Sequence, residues 1–238
     1  MKLSIIIPVF NEQKTLPVVI QKVKAEKLSG VVKDIIIVDD GSTDKTSEYI
    51  RKIIKKEKRI RAFFHGRNKG KGAAISTALK ASQGDYILIQ DADLEYDPSD
   101  IPVLLKPIRE GVAEVVFGTR LKRLPNFKKD ERTLQFFIQY LGNRTLSFIT
   151  AMLYGQMLTD METGYKLFPK KALRGVKIHA KSFDFEPEIT AKLIKKGYKI
   201  HEVVIKTNPR GYSEGKKLRA FRDGTQALYT LLKYRFVN

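Results

Sequence analysis

Short apolar runs alternate with stretches of helical periodicity along the first half of the chain. The runs are rich in Ile and Val and are bounded by Gly, Asp or Pro, which is typical of buried strands. We predict strands at Lys2–Pro8, Ile35–Val38, Ile60–His65, Tyr86–Ile89 and Glu114–Thr119. Helices are predicted between them, at Thr15–Lys27, in the segment that ends at Lys56, at Ala73–Ser82 and at Pro98–Arg109. Continuous apolar strands that alternate with helices indicate an α/β fold with a mostly parallel sheet covered on both faces.

The second half of the chain has a less regular pattern. Lys122–Arg132 is basic and contains a proline, so we expect a loop. Leu134–Leu158 has apolar residues at spacings of three and four, interrupted by Gly142-Asn143-Arg144, and we predict two short amphipathic helices there. They are either ordinary core helices or helices that lie on a membrane surface, with the basic loop meeting lipid headgroups. A strand at Lys199–Thr207 and helices at Phe185–Lys196 and Leu218–Phe236 complete a single predicted domain, residues 1–238.

Three acidic side chains follow the predicted strand Tyr86–Ile89. Asp91, Asp93 and Glu95 stand at alternate positions, so in extended chain they point the same way and can converge on one point. Oxygen ligands of this kind suit a hard divalent cation such as Mg²⁺ or Mn²⁺. Taken alone, the cluster is better described as a solvated acidic loop after a strand.

Acidic residues also follow two other predicted strands. Glu12 comes after the first strand, and Asp39-Asp40 comes after the second. Ligands of parallel α/β sheets bind beyond the carboxyl ends of the strands. We therefore expect these acids to meet Asp91 and Asp93 at one edge of the sheet, which favours a functional site over a solvated loop.

Composition and charge narrow the class of protein. The 238 residues carry a net charge of +19 and no cysteine, which excludes disulfides and thiolate metal sites. A balance this basic suggests a polyanionic partner: nucleic acid, an anionic membrane surface or a phosphorylated substrate. The sequence contains no uncharged apolar run of the length that spans a membrane, and its N-terminus does not fit a signal peptide.

Several short motifs, taken together in their order and spacing, resemble one known family. They are Ile7-Pro8-Val9-Phe10-Asn11-Glu12, Val38-Asp39-Asp40-Gly41-Ser42, Asn68-Lys69-Gly70-Lys71-Gly72, Asp91-Ala92-Asp93-Leu94, Gly118-Thr119-Arg120, Glu162–Phe168, Phe183-Asp184-Phe185-Glu186 and Arg210–Lys217. The chain resembles the family 2 glycosyltransferases of GT-A (Rossmann-like) fold over nearly its whole length. The resemblance extends to the branch of dolichyl- or polyprenyl-phosphate mannose or glucose synthases.

The resemblance implies a role for individual residues. Residues expected to bind the nucleotide sugar are Pro8, Phe10, Glu12, Val38, Asp40, Lys71, Asp91 and Ala92. Asp91 and Asp93 are expected to bind a Mg²⁺ or Mn²⁺ ion that bridges the diphosphate. Glu95, where the family often has Gln, is a third candidate metal ligand. Arg120, Arg210 and Lys217 complete the catalytic set and are expected to grip the acceptor phosphate or the departing diphosphate.

The same resemblance implies partners, location and a division of the chain. The donor is expected to be GDP-mannose or UDP-glucose, the acceptor a dolichyl or polyprenyl phosphate, and the outcome inversion at the anomeric carbon. Residues 1–120 are expected to bind the nucleotide sugar, and residues 121–238, with the amphipathic helices at 134–158, the acceptor. We expect a peripheral protein on the cytoplasmic face of the cell membrane; the pattern gives no oligomeric state.

Two alternatives differ in the chemistry they require. A saccharide hydroxyl acceptor needs a general base, for which Asp184 or Glu186 is the candidate, whereas a lipid phosphate needs none because it is already ionised. A nucleic-acid-binding protein is suggested by the charge alone, but no recognition motif or aromatic-lined basic stripe is present, so we expect no nucleic acid. The glycine-rich loop at 66–72 lacks the Walker spacing, which excludes a P-loop NTPase. His65, His179 and His201 have no metal-ligand spacing and are interpreted as structural or exposed.

Overall fold

A computed structural model describes residues 1–120, 134–208 and 220–237. The strands in this part are β1 Lys2–Val9, β2 Val32–Asp39, β3 Ile60–Phe64, β4 Tyr86–Ile89, β5 Val115–Thr119, β6 Lys166–Pro169 and β7 Ile200–Val204. The helices are α1 Leu16–Ala25, α2 Thr46–Lys56, α3 Lys71–Ala81, α4 Ile101–Arg109, α5 Leu134–Tyr154, α6 Phe185–Lys195 and α7 Ala220–Phe236. Short 3-10 turns stand at Pro98–Asp100 and Lys170–Leu173.

The strands form one sheet in the order β3-β2-β1-β4-β6-β5-β7. β6 runs antiparallel to both of its neighbours, β4 and β5, and the other pairs are parallel. The predicted mostly parallel α/β sheet is therefore confirmed. Because β5 runs in the same direction as β1, β2 and β4, the carboxyl ends of these four strands lie at one edge.

Alternate residues of the central strands enter two separate hydrophobic cores. Leu3 and Ile5 of β1 pack on the face covered by α1, α2 and α4, whereas Ile6 packs on the face covered by α3, α5, α6 and α7. Each fully buried aliphatic side chain contributes about 1.5–3 kcal/mol. Burial on both faces is why these strands read as unbroken apolar runs rather than as alternating ones.

The region predicted as two short helices is one continuous helix, so that prediction is wrong. Helix α5 runs through Gly142-Asn143-Arg144 and ends at Tyr154, where Gly155 adopts a φ of +75°. An interior glycine costs only about 1 kcal/mol relative to alanine, and Asn143 is buried with its amide bonded to Asp160. These tertiary contacts outweigh the local tendency to break the helix. Among the described helices, none has the length and apolarity needed to cross a membrane.

Candidate active site

The carboxyl edge of the sheet brings together residues from several parts of the chain. β2 ends at Asp39, which lies opposite Val9 at the end of β1, and Asp91 comes two residues after the end of β4. Pro8 and Val38, both predicted to hold the nucleotide, are buried partners in the same register. Ala92 is buried beside Asp91, and Phe10 is half-buried. This edge therefore combines buried apolar side chains with acidic side chains at the strand ends.

Lys71 links two acids at this edge. It is the first residue of α3, and its Nζ lies 2.8 Å from Asp91 Oδ1 and 2.8 Å from Glu186 Oε1. The lysine side chain is 18% exposed and that of Glu186 only 5%. Burial opposes the charge of Lys71, but the two carboxylates outweigh it and hold the lysine pKa well above its usual value. The predicted nucleotide-sugar-binding lysine is thus a charged group in direct contact with a predicted metal ligand.

The chain after Asp91 makes a tight turn. Asp93 Oδ1 accepts a hydrogen bond from the backbone N of Glu95 at 3.1 Å, and Leu94 between them has a φ of +64°. The carbonyl of Glu95 accepts from Asn208 N at 3.0 Å. Asn208 therefore lies beside Glu95, whereas Arg210 and Lys217 lie outside the described residues. So does the predicted basic loop at Lys122–Arg132.

The chemistry of the three acids fits a divalent metal. Carboxylate oxygens are the ligands that Mg²⁺ and Mn²⁺ prefer, and Asp91 already faces a cation in the form of Lys71. Among the described residues, no group of three or more His, Asp or Glu side chains is arranged to hold a metal ion. Asp91, Asp93 and Glu95 as a joint metal site therefore stay a prediction.

Asp40 and Glu12 both accept hydrogen bonds from other residues of the chain. Asp40 is buried and accepts hydrogen bonds from the backbone N of Lys69 at 3.0 Å and of Gly70 at 2.7 Å, and its Oδ1 lies 2.6 Å from His65 Nδ1. Glu12 accepts from the Thr15 hydroxyl at 2.6 Å. Asp40 thus holds the glycine-rich turn that leads to Lys71, and its contact with a nucleotide stays a prediction. The His65 side chain is 8% exposed and contacts Asp40 and Thr77, which agrees with its interpretation as structural.

Arg120 follows β5 and is hydrogen-bonded to the carboxylate of Asp160, a residue that was not among the predicted site residues. Its Nε and Nη2 donate to Asp160 at 2.7 and 2.8 Å, and its backbone N donates to the same group at 3.0 Å. Asp160 is fully buried. Burial raises the pKa of Asp160, but the Arg120 charge outweighs this and keeps it below its usual value. An acid six residues before a strand carries no recognisable motif, so only the structure shows this pair.

A second group of titratable side chains lies close to Glu186, the partner of Lys71. Burial, and then the nearby Glu186 carboxylate, raise the pKa of Glu162 to about 8. Burial lowers the pKa of Lys166 to about 8, and its Nζ donates to Met161 O at 2.8 Å. Within the described part of the chain, Glu162 Oε1, Thr163 Oγ1 and Glu186 Oε2 are buried without a hydrogen-bond partner. Buried polar atoms without a hydrogen-bond partner lower the stability of a folded protein. Their presence here is therefore typical of a site that binds a polar ligand.

The two candidate general bases differ in position. Glu186 lies in the site beside Lys71, whereas Asp184 accepts hydrogen bonds from the backbone of Lys181 and Ser182 in the preceding turn. Only Glu186 of the two is therefore seen in contact with the other predicted site residues.

Comparison with known sequences identifies the family. The profile described as Glycosyl transferase family 2 matches residues 4–176. The chain belongs to glycosyltransferase family 2. This glycosyltransferase is 32% identical over 226 residues to the UDP-N-acetylglucosamine–dolichyl-phosphate N-acetylglucosaminyltransferase of Methanococcus voltae, covering 88% of this chain and 86% of the relative. The low-salt glycan biosynthesis hexosyltransferase Agl6 of Haloferax volcanii is 28% identical over 229 residues, 93% of this chain and 51% of that protein.

Solved structures share the GT-A fold. Glucosyl-3-phosphoglycerate synthase from Mycobacterium tuberculosis, in complex with Mn²⁺, UDP and phosphoglyceric acid, superimposes with a TM-score of 0.73 over all of this chain and 79% of that one. The sequence identity is 21%, so the likeness establishes the fold. The predicted family and fold are both confirmed.

Proposed function

We propose that this glycosyltransferase moves a hexose from a nucleotide sugar to a polyprenyl or dolichyl phosphate, in a metal-dependent reaction that inverts the anomeric carbon. The observation that carries the proposal is the contact between Asp91 and Lys71 at the carboxyl edge of the sheet, the edge at which β5 also delivers Arg120. Acidic and basic groups at one edge suit a metal-bound diphosphate. The relative from Methanococcus voltae, whose name gives dolichyl phosphate as the acceptor, supports the lipid acceptor.

Acidic and basic residues are proposed to stabilise the diphosphate leaving group in different ways. Asp91, Asp93 and Glu95 would hold the divalent metal, which when bound neutralises part of the negative charge on the diphosphate. Lys71 carries a positive charge within 2.8 Å of Asp91, so it can pair with a phosphate oxygen once a ligand draws it away from the carboxylates. Arg120 offers a second cation, and its side chain is 27% exposed. Arg210 and Lys217 are proposed to add further positive charge.

The acceptor determines whether a base is needed. A lipid phosphate attacks through an oxygen that is already ionised, because its second pKa is about 6. A saccharide hydroxyl must lose a proton, and Glu186, with one buried oxygen unpaired among the described residues, is the group in place to take it. A saccharide acceptor is therefore the second candidate function.

The protein is proposed to work peripherally at the cytoplasmic face of the cell membrane. Helices α5 and α7 are tied together by a hydrogen bond from the Tyr154 hydroxyl to Leu231 O at 2.6 Å. We define the α5–α7 surface by the following large exposed side chains on the two helices: Phe137, Leu141, Phe148, Met152, Tyr229 and Phe236. Those on α5 recur at helical spacing, and α7 also exposes Arg222, Lys233 and Arg235. Apolar side chains beside basic ones suit an anionic lipid surface.

The decisive experiment combines donors and acceptors. GDP-mannose, UDP-glucose and UDP-N-acetylglucosamine would be offered separately with a polyprenyl phosphate or a soluble saccharide, with Mg²⁺, Mn²⁺ or EDTA. We expect one of the donors to give labelled lipid, and only when Mg²⁺ or Mn²⁺ is present. Asp91→Asn should abolish it, whereas Glu110→Gln, on an exposed surface, should not.

The pattern of products separates the candidates. If the products are labelled saccharide and no labelled lipid, and if Glu186→Gln no longer forms the saccharide product, the acceptor is a saccharide rather than a lipid phosphate. Full activity in EDTA would contradict the metal requirement.

A further inference from the structure

The buried carboxylate of Asp160 connects Arg120 to helix α5. Oδ2 accepts from the backbone N and Nε of Arg120, while Oδ1 accepts from Arg120 Nη2 at 2.8 Å and from Asn143 Nδ2 at 2.6 Å. The backbone N of Asp160 is itself fixed by Glu202 Oε1 at 3.0 Å. Asn143 is thus a neutral side chain that shares one carboxylate oxygen with the guanidinium.

Asn143 is in an unusual position for its residue type. Asparagine is a poor helix former, yet it lies inside α5 and is only 8% exposed. Both ends of its amide are used, because Oδ1 also accepts from Glu162 N at 3.4 Å. One turn further on, Ser147 Oγ accepts from Met161 N at 3.2 Å. The inner side of α5 is therefore bonded to the segment that carries Asp160.

The bond from Asn143 restricts the orientation of the Asp160 carboxylate. The backbone N of Arg120 holds Oδ2, but without Asn143 the donor left to Oδ1 among the described residues would be the Arg120 guanidinium, with which that oxygen can move about χ2. A second donor on Oδ1, supplied by a different element, fixes that rotation. Arg120 bonds to Asp160 through Nε and Nη2, so its Nη1 edge points away from Asp160. The direction of this edge depends on the orientation of the carboxylate.

We propose that Asn143 is a positioning residue that acts through Asp160 to orient Arg120 toward a phosphate of the substrates. The inference rests on the proposed function in that it takes Arg120 as a phosphate-binding group. It gives α5 a second role, because the helix that exposes Phe148 on its outer side holds Arg120 on its inner side. An amide that only filled a gap in the core would contribute to folding without affecting phosphate affinity.

A double-mutant cycle tests this inference without turnover. Affinities for inorganic pyrophosphate and for a short-chain prenyl phosphate would be measured by calorimetry in Asn143→Ala, Arg120→Ala and the double variant. We expect Arg120→Ala to weaken at least one of the two ligands about tenfold or more, and Asn143→Ala to weaken the same ligand about three- to tenfold. The double variant should bind no more weakly than Arg120→Ala, because Asn143 acts only through Arg120.

A control and steady-state kinetics complete the experiment. Thr150→Ala removes a buried hydroxyl of the same helix whose hydrogen bond, within the described residues, goes to Leu146 O, and should leave both affinities unchanged. In turnover, Asn143→Ala should raise the KM of the substrate whose phosphate Arg120 binds, while kcat and the other KM change less than twofold. Asn143→Ser serves the same purpose if the alanine variant does not fold.

Three outcomes would overturn the inference. The first is that Asn143→Ala lowers the affinity equally whether or not Arg120 is present. The second is that Asn143→Ala leaves the affinity unchanged, and the third is that Arg120→Ala leaves the affinity for both ligands unchanged. None of these depends on glycosyl transfer. Failure of the wild-type protein to label any lipid would count against the proposed function and leave the result of the cycle standing.

Discussion

At the scale of single residues, the position of Asp91 depends on a glycine from another part of the chain. A Cβ on Gly164 would overlap Asp91 Oδ2 and lie 3.0 Å from Tyr96 Cε2. Tyr96 is buried and packs on Tyr165 with ring centroids 4.9 Å apart, and the Asp91 oxygen is the nearer of the two atoms. The carboxylate would have to turn. Gly164 therefore sets the orientation of the acid that contacts Lys71.

This arrangement predicts a large effect of a single methyl group. Gly164→Ala should fold but lose about 100-fold in transfer rate, since a small misplacement of a binding group has effects of that size. It should also need more Mg²⁺ or Mn²⁺ for half-maximal activity. Rates measured across a metal titration check this. The matched control is Gly66→Ala, where a Cβ meets nothing within 4 Å. Equal rates and metal dependence for Gly164→Ala and wild type would show that Gly164 does not set the orientation of Asp91.

The raised pKa of Glu162 predicts how stability depends on pH. In the unfolded chain this carboxyl group ionises near 4.5, whereas burial and the Glu186 carboxylate delay ionisation in the folded protein to about pH 8. Between these values the unfolded state binds fewer protons, so the free energy of unfolding falls as pH rises. Lys166, whose pKa is lowered to about 8, stays protonated in both states up to about pH 7.

Glu162→Gln should remove this dependence. We expect its stability relative to wild type to increase from about pH 5 to about pH 8, by at most about 1.4 kcal/mol per pH unit. Urea unfolding at several pH values measures the difference. Glu110→Gln, on the exposed surface, should show a constant difference instead. A difference for Glu162→Gln that did not grow with pH would mean that the carboxyl group ionises normally in the folded protein.

At the scale of elements, the strands and the acidic edge could be predicted, and the connections across the site could not. Ile35–Val38 reads as a strand because burial on both faces leaves an unbroken apolar run, and parallel pairing then places Asp39 and Asp91 at one edge. The contact between Lys71 and Glu186 joins residues far apart in sequence, with no periodicity to indicate it. The same holds for Asn143 and Asp160, so the pattern at Gly142-Asn143, taken alone, predicts a break in the helix.

The continuity of α5 gives a test with opposite signs at two glycines. Gly142 is an exposed helical residue and Gly155 ends the helix with a φ of +75°; a Cβ at either meets nothing within 4 Å. Gly142→Ala should therefore stabilise the protein by about 0.5–1 kcal/mol. Gly155→Ala should destabilise it by about 1 kcal/mol, because alanine resists a left-handed conformation. Denaturant unfolding gives both values. Destabilisation by Gly142→Ala would restore the interpretation of two helices.

At the scale of the whole molecule, charge and apolar exposure point to the same kind of partner. The chain has a net charge of +19, which disfavours contact between two copies through like-charged surfaces. Large apolar side chains are nevertheless exposed on α5 and α7, with Met152 at 72% and Phe236 at 83%. An anionic bilayer satisfies both features, since it attracts basic side chains and accepts apolar ones.

Partition onto vesicles tests the α5–α7 surface directly. We expect the protein to sediment with vesicles that contain anionic lipid, and to do so less as salt increases, because screening weakens the attraction of basic residues. Phe148→Ser combined with Phe236→Ser should lower the partition coefficient about tenfold or more, since a buried aromatic side chain contributes about 1.5–3 kcal/mol. Val112→Ser removes an equally exposed apolar side chain outside this surface, at 64% exposure, and should bind like wild type. If the double variant also bound like wild type, the apolar face of these helices would not be the part that meets lipid.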